Sequence, residues 1–159
     1  MIKEGRKAPS FMLPSVEGGA VTLKDYLGKP VVLYFYPKDD TPGCTREACA
    51  FRDTQAQIRK TGAVVLGVSP DSVASHQKFK AKYKLNFPLL SDADKSVAKK
   101  FGAYGEKLMY GKKVVGMIRS TFVIDGRGVV RRVFPRVKVD GHAERVLEAL
   151  RGLEAPSEG

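Results

Sequence analysis

Six consecutive apolar or aromatic residues, Val31-Val32-Leu33-Tyr34-Phe35-Tyr36, stand between Pro30 and Pro37. A run without alternation, bounded by prolines, predicts a central strand covered on both faces. A polar turn from Lys38 to Gly43 follows. The next residues can run helically to about Lys60, with Ala48, Phe51, Gln55 and Ile58 at helical intervals. Thr41 is placed to cap that helix and Pro42 suits its first turn. This strand, turn and helix start contain both cysteines of the chain, Cys44 and Cys49, so chemistry is expected here.

The rest of the chain supplies partners for that strand. Residues 1 to 20 read as an irregular lead-in broken by Pro9, Pro14 and Gly18-Gly19, with a short strand at Val21-Thr22-Leu23 and a helical turn stopped by Gly28. Thr61-Gly62 ends the long helix, and Ala63 to Val68 is a second buried strand. A strand, helix, strand unit of this kind favours parallel pairing. Ser69-Pro70-Asp71-Ser72 introduces a helix to about Tyr83, with Val73, Gln77, Phe79 and Tyr83 available for packing. Phe87 to Leu90 is a short strand, and a brief helix runs from Asp92 through Phe101. Beyond Gly102 the pattern changes. Val114 to Ile124 reads as one strand, Asp125-Gly126-Arg127-Gly128 as a turn and Val129 to Phe134 as its return. An amphipathic helix from about Asp140 to Leu150 closes the chain before a polar tail from about residue 154. The order predicts an α/β fold, a mixed central sheet flanked by helices in the thioredoxin-like arrangement, in one domain over residues 1–159.

Composition narrows the function classes. The chain has 159 residues, enough for an ordinary core without disulfides. Its net charge of +11 raises a nucleic-acid reading. The basic residues are spread along the chain, however, and no recognised nucleic-acid motif accompanies them, so solvated faces are expected and no nucleic-acid partner. The positive surplus would attract an acidic protein or a small anion. No apolar run approaches a membrane span, and Phe11-Met12-Leu13 is too brief for a signal-peptide core, so no membrane partner and a cytoplasmic location are expected. In a reducing compartment a cysteine pair is more often catalytic, redox-sensing or metal-binding than structural. His76 and His142 have no ligand spacing, so no metal is expected.

Cys44 falls in the first turn of the predicted helix, where free backbone amides and the helix dipole favour a thiolate, the nucleophilic form. Cys49 lies five positions later. On an intact helix that step separates the Cα atoms by roughly 8.7 Å, beyond the ~6.8 Å limit of disulfides. If the two pair, the segment from Pro42 to about Phe51 must therefore open, compact when reduced and rearranged when oxidised. Standing alone, Cys49 would pass for a core residue beside Ala48 and Ala50. Thr41 can serve as a cap or a substrate contact. Arg119 interrupts an apolar strand, either reaching solvent at its end or standing buried beside a thiolate as a source of directed donors.

Pro37-Lys38-Asp39-Asp40-Thr41-Pro42-Gly43-Cys44 resembles the Pro-x-x-x-Thr-x-x-Cys signature of the peroxiredoxins. Thr45-Arg46-Glu47-Ala48-Cys49 and Arg119-Ser120-Thr121-Phe122-Val123-Ile124-Asp125 resemble the Q-type subgroup, the bacterioferritin comigratory proteins. The similarity runs from about Gly5 to Leu150. Ala103-Tyr104 departs from it, standing where many relatives carry Val-Trp. The resemblance implies a thiol peroxidase for hydrogen peroxide and organic hydroperoxides that needs no cofactor. Cys44 would be the peroxidatic cysteine, passing through a sulfenic acid, and Cys49 the resolving cysteine that closes an intramolecular disulfide. Thr41 would bond the thiolate and the peroxide, Pro37 would shield the site, and Arg119 would stabilise the charge. The amides of Gly43 and Cys44 would complete a peroxide cradle. Thioredoxin or a similar dithiol protein would be the reductant, and a monomer is implied. The runners-up are a thioredoxin-like protein disulfide reductase, against which the missing Cys-x-x-Cys counts, and a redox-regulated binding or chaperone protein using the basic surface.

Overall fold

A computed structural model describes residues 1–154 of the chain. The expected polar tail lies outside the described residues apart from the end of the last helix.

The central sheet is built on β3 (Val31–Phe35), in which every side chain is buried. Beside it runs β4 (Val64–Ser69) in parallel, with β5 (Leu89–Ser91) beyond, also parallel. On the other side β8 (Ser120–Ile124) pairs antiparallel with β3, and β9 (Val130–Phe134) antiparallel with β8. The order is therefore β5-β4-β3-β8-β9, a mixed sheet as the sequence predicts. Alternation along β3 divides the core, since successive strand side chains point to opposite faces. Val32 and Tyr34 share one apolar cluster with Phe51, Ile58, Phe79 and Val146, drawn from the helices α1 (Pro42–Lys60), α2 (Val73–Tyr83) and α4 (His142–Glu154). Val31, Leu33 and Phe35 share the other with Phe101 of α3 (Ser96–Phe101), Phe122 and Ile124.

The structure departs from the sequence reading at several points. The lead-in contains a strand, β1 (Met12–Pro14), paired antiparallel with β2 (Ala20–Thr22), where the sequence predicts none. The expected long strand from Val114 to Ile124 is two strands, broken at Ile118-Arg119. Its first part is β7 (Lys112–Met117), which forms a separate hairpin with β6 (Tyr104–Met109). The hairpin turns at Tyr110 and Gly111, both with positive φ (54° and 80°), the conformation a two-residue primed turn requires. In α2, finally, the buried residues are His76 and Phe79, with Tyr83 packed against the same cluster as expected, while Gln77 is exposed.

Candidate active site

The site is assembled where β3 ends. Pro37 terminates the strand's apolar run, and residues 38–41 turn the chain into α1 with Asp40 in the left-handed region (φ 58°). Exposed contacts hold that backbone: the Asp40 carboxylate accepts from Lys82 Nζ at 2.8 Å and from the Tyr83 hydroxyl at 2.7 Å. Deeper in, Asp39 is anchored from three sides. Its carboxylate accepts from the Tyr36 hydroxyl (2.6 Å) and from Ser75 Oγ (2.8 Å), and lies 2.7 Å from His76 Nδ1. Its amide donates to Asp71 at 2.8 Å. Asp39, Asp71 and His76 form a cluster with metal-ligating atoms, unforeseen by the sequence reading. Protein groups already occupy it: His76 Nε2 lies 2.9 Å from the Leu90 carbonyl, and Asp71 accepts from Ser69 Oγ at 2.6 Å. Its evident role is to fasten the turn to α2 and the sheet.

Thr41 takes the N-cap position of α1 with Pro42 after it, as the sequence suggests, but its side chain makes no capping bond. The hydroxyl instead donates back to the Lys38 carbonyl at 2.9 Å, bracing the turn. The first helical bond runs from the Thr45 amide to the Thr41 carbonyl, 2.8 Å, so the amides of Gly43 and Cys44 precede it. Cys44 is buried, Cys49 half-buried, and both are free thiols. Since α1 is continuous through both, the two cannot bond while it stays folded.

Arg119 arrives from the two-residue break between β7 and β8. The break lets its side chain leave the sheet and cross toward α1. Arg119 Nη2 lies 3.3 Å from Cys44 Sγ, and Nη1 donates to Glu47 Oε1 at 2.7 Å. The solvent-reaching alternative is thereby replaced by a mostly buried guanidinium, 18 % exposed. Gly43 allows this approach, because a Cβ there would stand 3.1 Å from Arg119 Nη2. Burial raises the Arg119 cost of charge, yet Glu47 and Cys44 outweigh it and raise its pKa.

Glu47 is the site residue that the sequence reading did not single out. It is 1 % exposed, and burial pushes its carboxyl up to about 7 against the opposing pull of Arg119. Its second oxygen, Oε2, and the buried Tyr34 hydroxyl have no hydrogen-bond partner. The only sequence hint is its place one helical turn after Cys44, on the same face. Packed edge-to-face on Phe51, His142 is buried with Nε2 2.8 Å from Thr121 Oγ1; burial, Arg145 and Arg119 lower it to about 4, so it is neutral at pH 7.

A cavity of about 680 Å³ opens onto Arg119. Pro37 lies on its wall, and Met117, Ile118, Leu108 and Val137 make much of the lining apolar, with Lys107, Lys113 and Arg136 adding positive charge. Pro37 and Arg119 share the cavity lining, and the Arg119 guanidinium in turn meets Gly43 and Cys44. Cys49 stands apart on α1, and Thr41 touches Lys38.

Comparison with known proteins gives the family of the chain. The AhpC/TSA family model matches residues 5–133. A putative peroxiredoxin bcp of Coxiella burnetii is 55% identical over 149 residues, 94% of this chain and 99% of that protein. The solved structure of a Xylella fastidiosa PrxQ mutant is 40% identical, covers 97% of this chain and 98% of its own, and superposes with a TM-score of 0.90. A Xanthomonas campestris bacterioferritin comigratory protein, studied for alkyl peroxide reduction, is 45% identical with a TM-score of 0.85, covering 90% and 91%. The chain belongs to the AhpC/TSA family, and within it to the peroxiredoxins of the Bcp or Q type.

Proposed function

We propose that this chain is a thiol peroxidase that reduces hydrogen peroxide and organic hydroperoxides through Cys44, working as one domain and as a monomer in the cytoplasm. The observation that carries the reading is the Arg119 guanidinium, 3.3 Å from Cys44 Sγ at the edge of an open cavity. The Cys44 thiolate attacks one peroxide oxygen, the O–O bond breaks, and the displaced oxygen leaves with a proton as water or alcohol. Cys44 is left as a sulfenic acid. Arg119 faces both the starting thiolate and the leaving oxygen, so its donors serve charge that moves rather than vanishes. The Gly43 and Cys44 amides add unpaired donors. The Thr41 hydroxyl spends its proton on Lys38, which leaves its oxygen lone pairs to accept the peroxide O–H. Pro37, lacking an N–H, limits water at the mouth.

Cys49 then attacks the sulfenic sulfur, water leaves, and a Cys44–Cys49 disulfide forms once the start of α1 opens. Thioredoxin or a similar dithiol protein reduces it. The apolar wall of the cavity suits the alkyl group of an organic hydroperoxide, consistent with the alkyl peroxide reduction described for the Xanthomonas protein.

Peroxide consumption coupled to thioredoxin and NADPH tests the proposal. Wild type should turn over and Cys44→Ser should lose at least about a thousand-fold, comparable to other nucleophile deletions. Equal rates would overturn it. Cys49→Ser should form one sulfenic acid per chain but turn over poorly with thioredoxin; unchanged steady-state turnover would remove Cys49 from the cycle.

A further inference from the structure

The β6–β7 hairpin, which lends part of its flank to the cavity, carries an exposed tip that the catalytic proposal does not use. Of the seven large apolar side chains exposed among the described residues, four stand on it: Leu108, Met109, Tyr110 and Val115, with Tyr110 at the turn 100% exposed. The hairpin is a two-stranded sheet of its own, so its backbone bonds are closed within it and its tip can enter another medium without breaking the central sheet. From Tyr104 to Met117 the sequence has three lysines and one acid, Glu106. Lys107 is half-buried and donates to the Met117 carbonyl, whereas Lys112 and Lys113 are exposed directly opposite Met109 and Leu108 across the strands.

We infer that this hairpin docks the protein on an anionic phospholipid surface, with Tyr110 and its apolar neighbours among the headgroups and Lys112 and Lys113 against their phosphates. Apolar and aromatic side chains flanked by lysine match the layered chemistry of such an interface. A second copy of the chain fits poorly, since it would set lysine against lysine on a protein of net charge +11. A convex two-residue turn with a wholly exposed tyrosine suits a yielding headgroup layer better than a rigid protein face. The expectation of no membrane partner rested on the lack of a spanning segment, which does not bear on peripheral contact. The cavity beside Arg119 shares Leu108, Met109 and Lys113 with the hairpin, so docking would turn its mouth toward the bilayer. The docking itself does not depend on the peroxidase reading.

Co-sedimentation of the whole chain with vesicles of equal parts phosphatidylglycerol and phosphatidylcholine, against phosphatidylcholine alone, tests the inference. Binding should favour the anionic vesicles by about ten-fold at low salt and fade as salt rises. Lys112→Glu and Tyr110→Ser, neither of which lines the cavity, should each weaken it several-fold while hydrogen peroxide turnover and circular dichroism stay unchanged. Equal sedimentation with both vesicle types, or variants that bind like wild type, would overturn the proposal. So would a KM for thioredoxin raised by either variant without vesicle binding, which would assign the face to an acidic protein. Dimerisation lost in Tyr110→Ser would equally overturn it, in favour of a second copy.

Discussion

The first two turns of α1 and its last two turns belong to one unbroken helix, yet they are fastened differently. The early turns present small buried side chains, Cys44 and Ala48, and one buried ion pair, Glu47 with Arg119. Their outer contact, Arg46 with Asp140 at 3.7 Å, lies between exposed groups and adds little. From Phe51 onward the helix is held by fully buried Phe51 and Ile58. Arg52 Nη1 donates to the Tyr83 carbonyl at 2.6 Å, Gln55 to the Asn86 carbonyl at 3.2 Å, and Asn86 back to the Arg52 carbonyl at 3.2 Å. Disulfide formation needs part of this helix to open. The contrast indicates which part can do so cheaply, and Phe51 marks where opening should stop.

The contrast is broken most severely at its boundary. Phe51 packs on Tyr34 with ring centroids 4.8 Å apart and on His142 at 5.8 Å. Phe51→Ala should cost about 3–5 kcal/mol in denaturant unfolding, whereas Ala48→Gly, in the early turns, should cost only about 1 kcal/mol.

Glu47 gives the early turns a pH dependence that the later ones lack. Its folded pKa, about 7, lies above the ordinary value of 4.5. The closed helix therefore binds the extra proton, and the stability this contributes is full below about pH 4.5 and lost as pH rises through about 7. The difference is on the order of 3 kcal/mol. Closure should weaken across that window, and Glu47→Gln should flatten the profile of thermal stability between pH 5 and 8 while lowering peroxide turnover, because Arg119 loses its charged partner. An unchanged profile would show that Glu47 does not set it.

The smallest effect sharpens the boundary itself. Amide exchange should show residues 44 to 50 losing protection on oxidation while 53 to 60 keep theirs. Arg52→Ala, expected to cost about 1 kcal/mol, should let the loss spread past Phe51. Equal protection of residues 44 to 50 in both redox states would remove the opening from the mechanism.

What the sequence made legible was whatever rests on apolar continuity or on turn chemistry. Val31 to Tyr36 announced the central strand, and Thr41-Pro42-Gly43 announced the start of α1 to the residue. The β6 strand leaves no mark in the sequence because Gly105, Glu106 and Lys107 show no apolar alternation; both faces of that hairpin meet solvent, so burial never selected a period. The break at Ile118-Arg119 has no proline or glycine to mark it. Buried polar groups were the least visible. Glu47, Asp39 and His76 look like surface residues until the partners that satisfy them, Arg119, Tyr36 and Leu90, are brought in from distant segments. Cys44 and Arg119 were both recognisable as candidates, but nothing local to either shows that they meet.

That meeting spans 75 positions of chain and depends on β8 lying antiparallel to β3. During synthesis Cys44 leaves the ribosome long before Arg119 does, and until the strand that follows Arg119 has also emerged and paired, the cysteine lacks its cationic neighbour. Under the proposed mechanism a growing chain would therefore carry a Cys44 without its Arg119 partner, and the site would be assembled only with the finished sheet. The rate at which peroxide consumes the Cys44 thiol would in that sense be a chemical clock for completion of the fold.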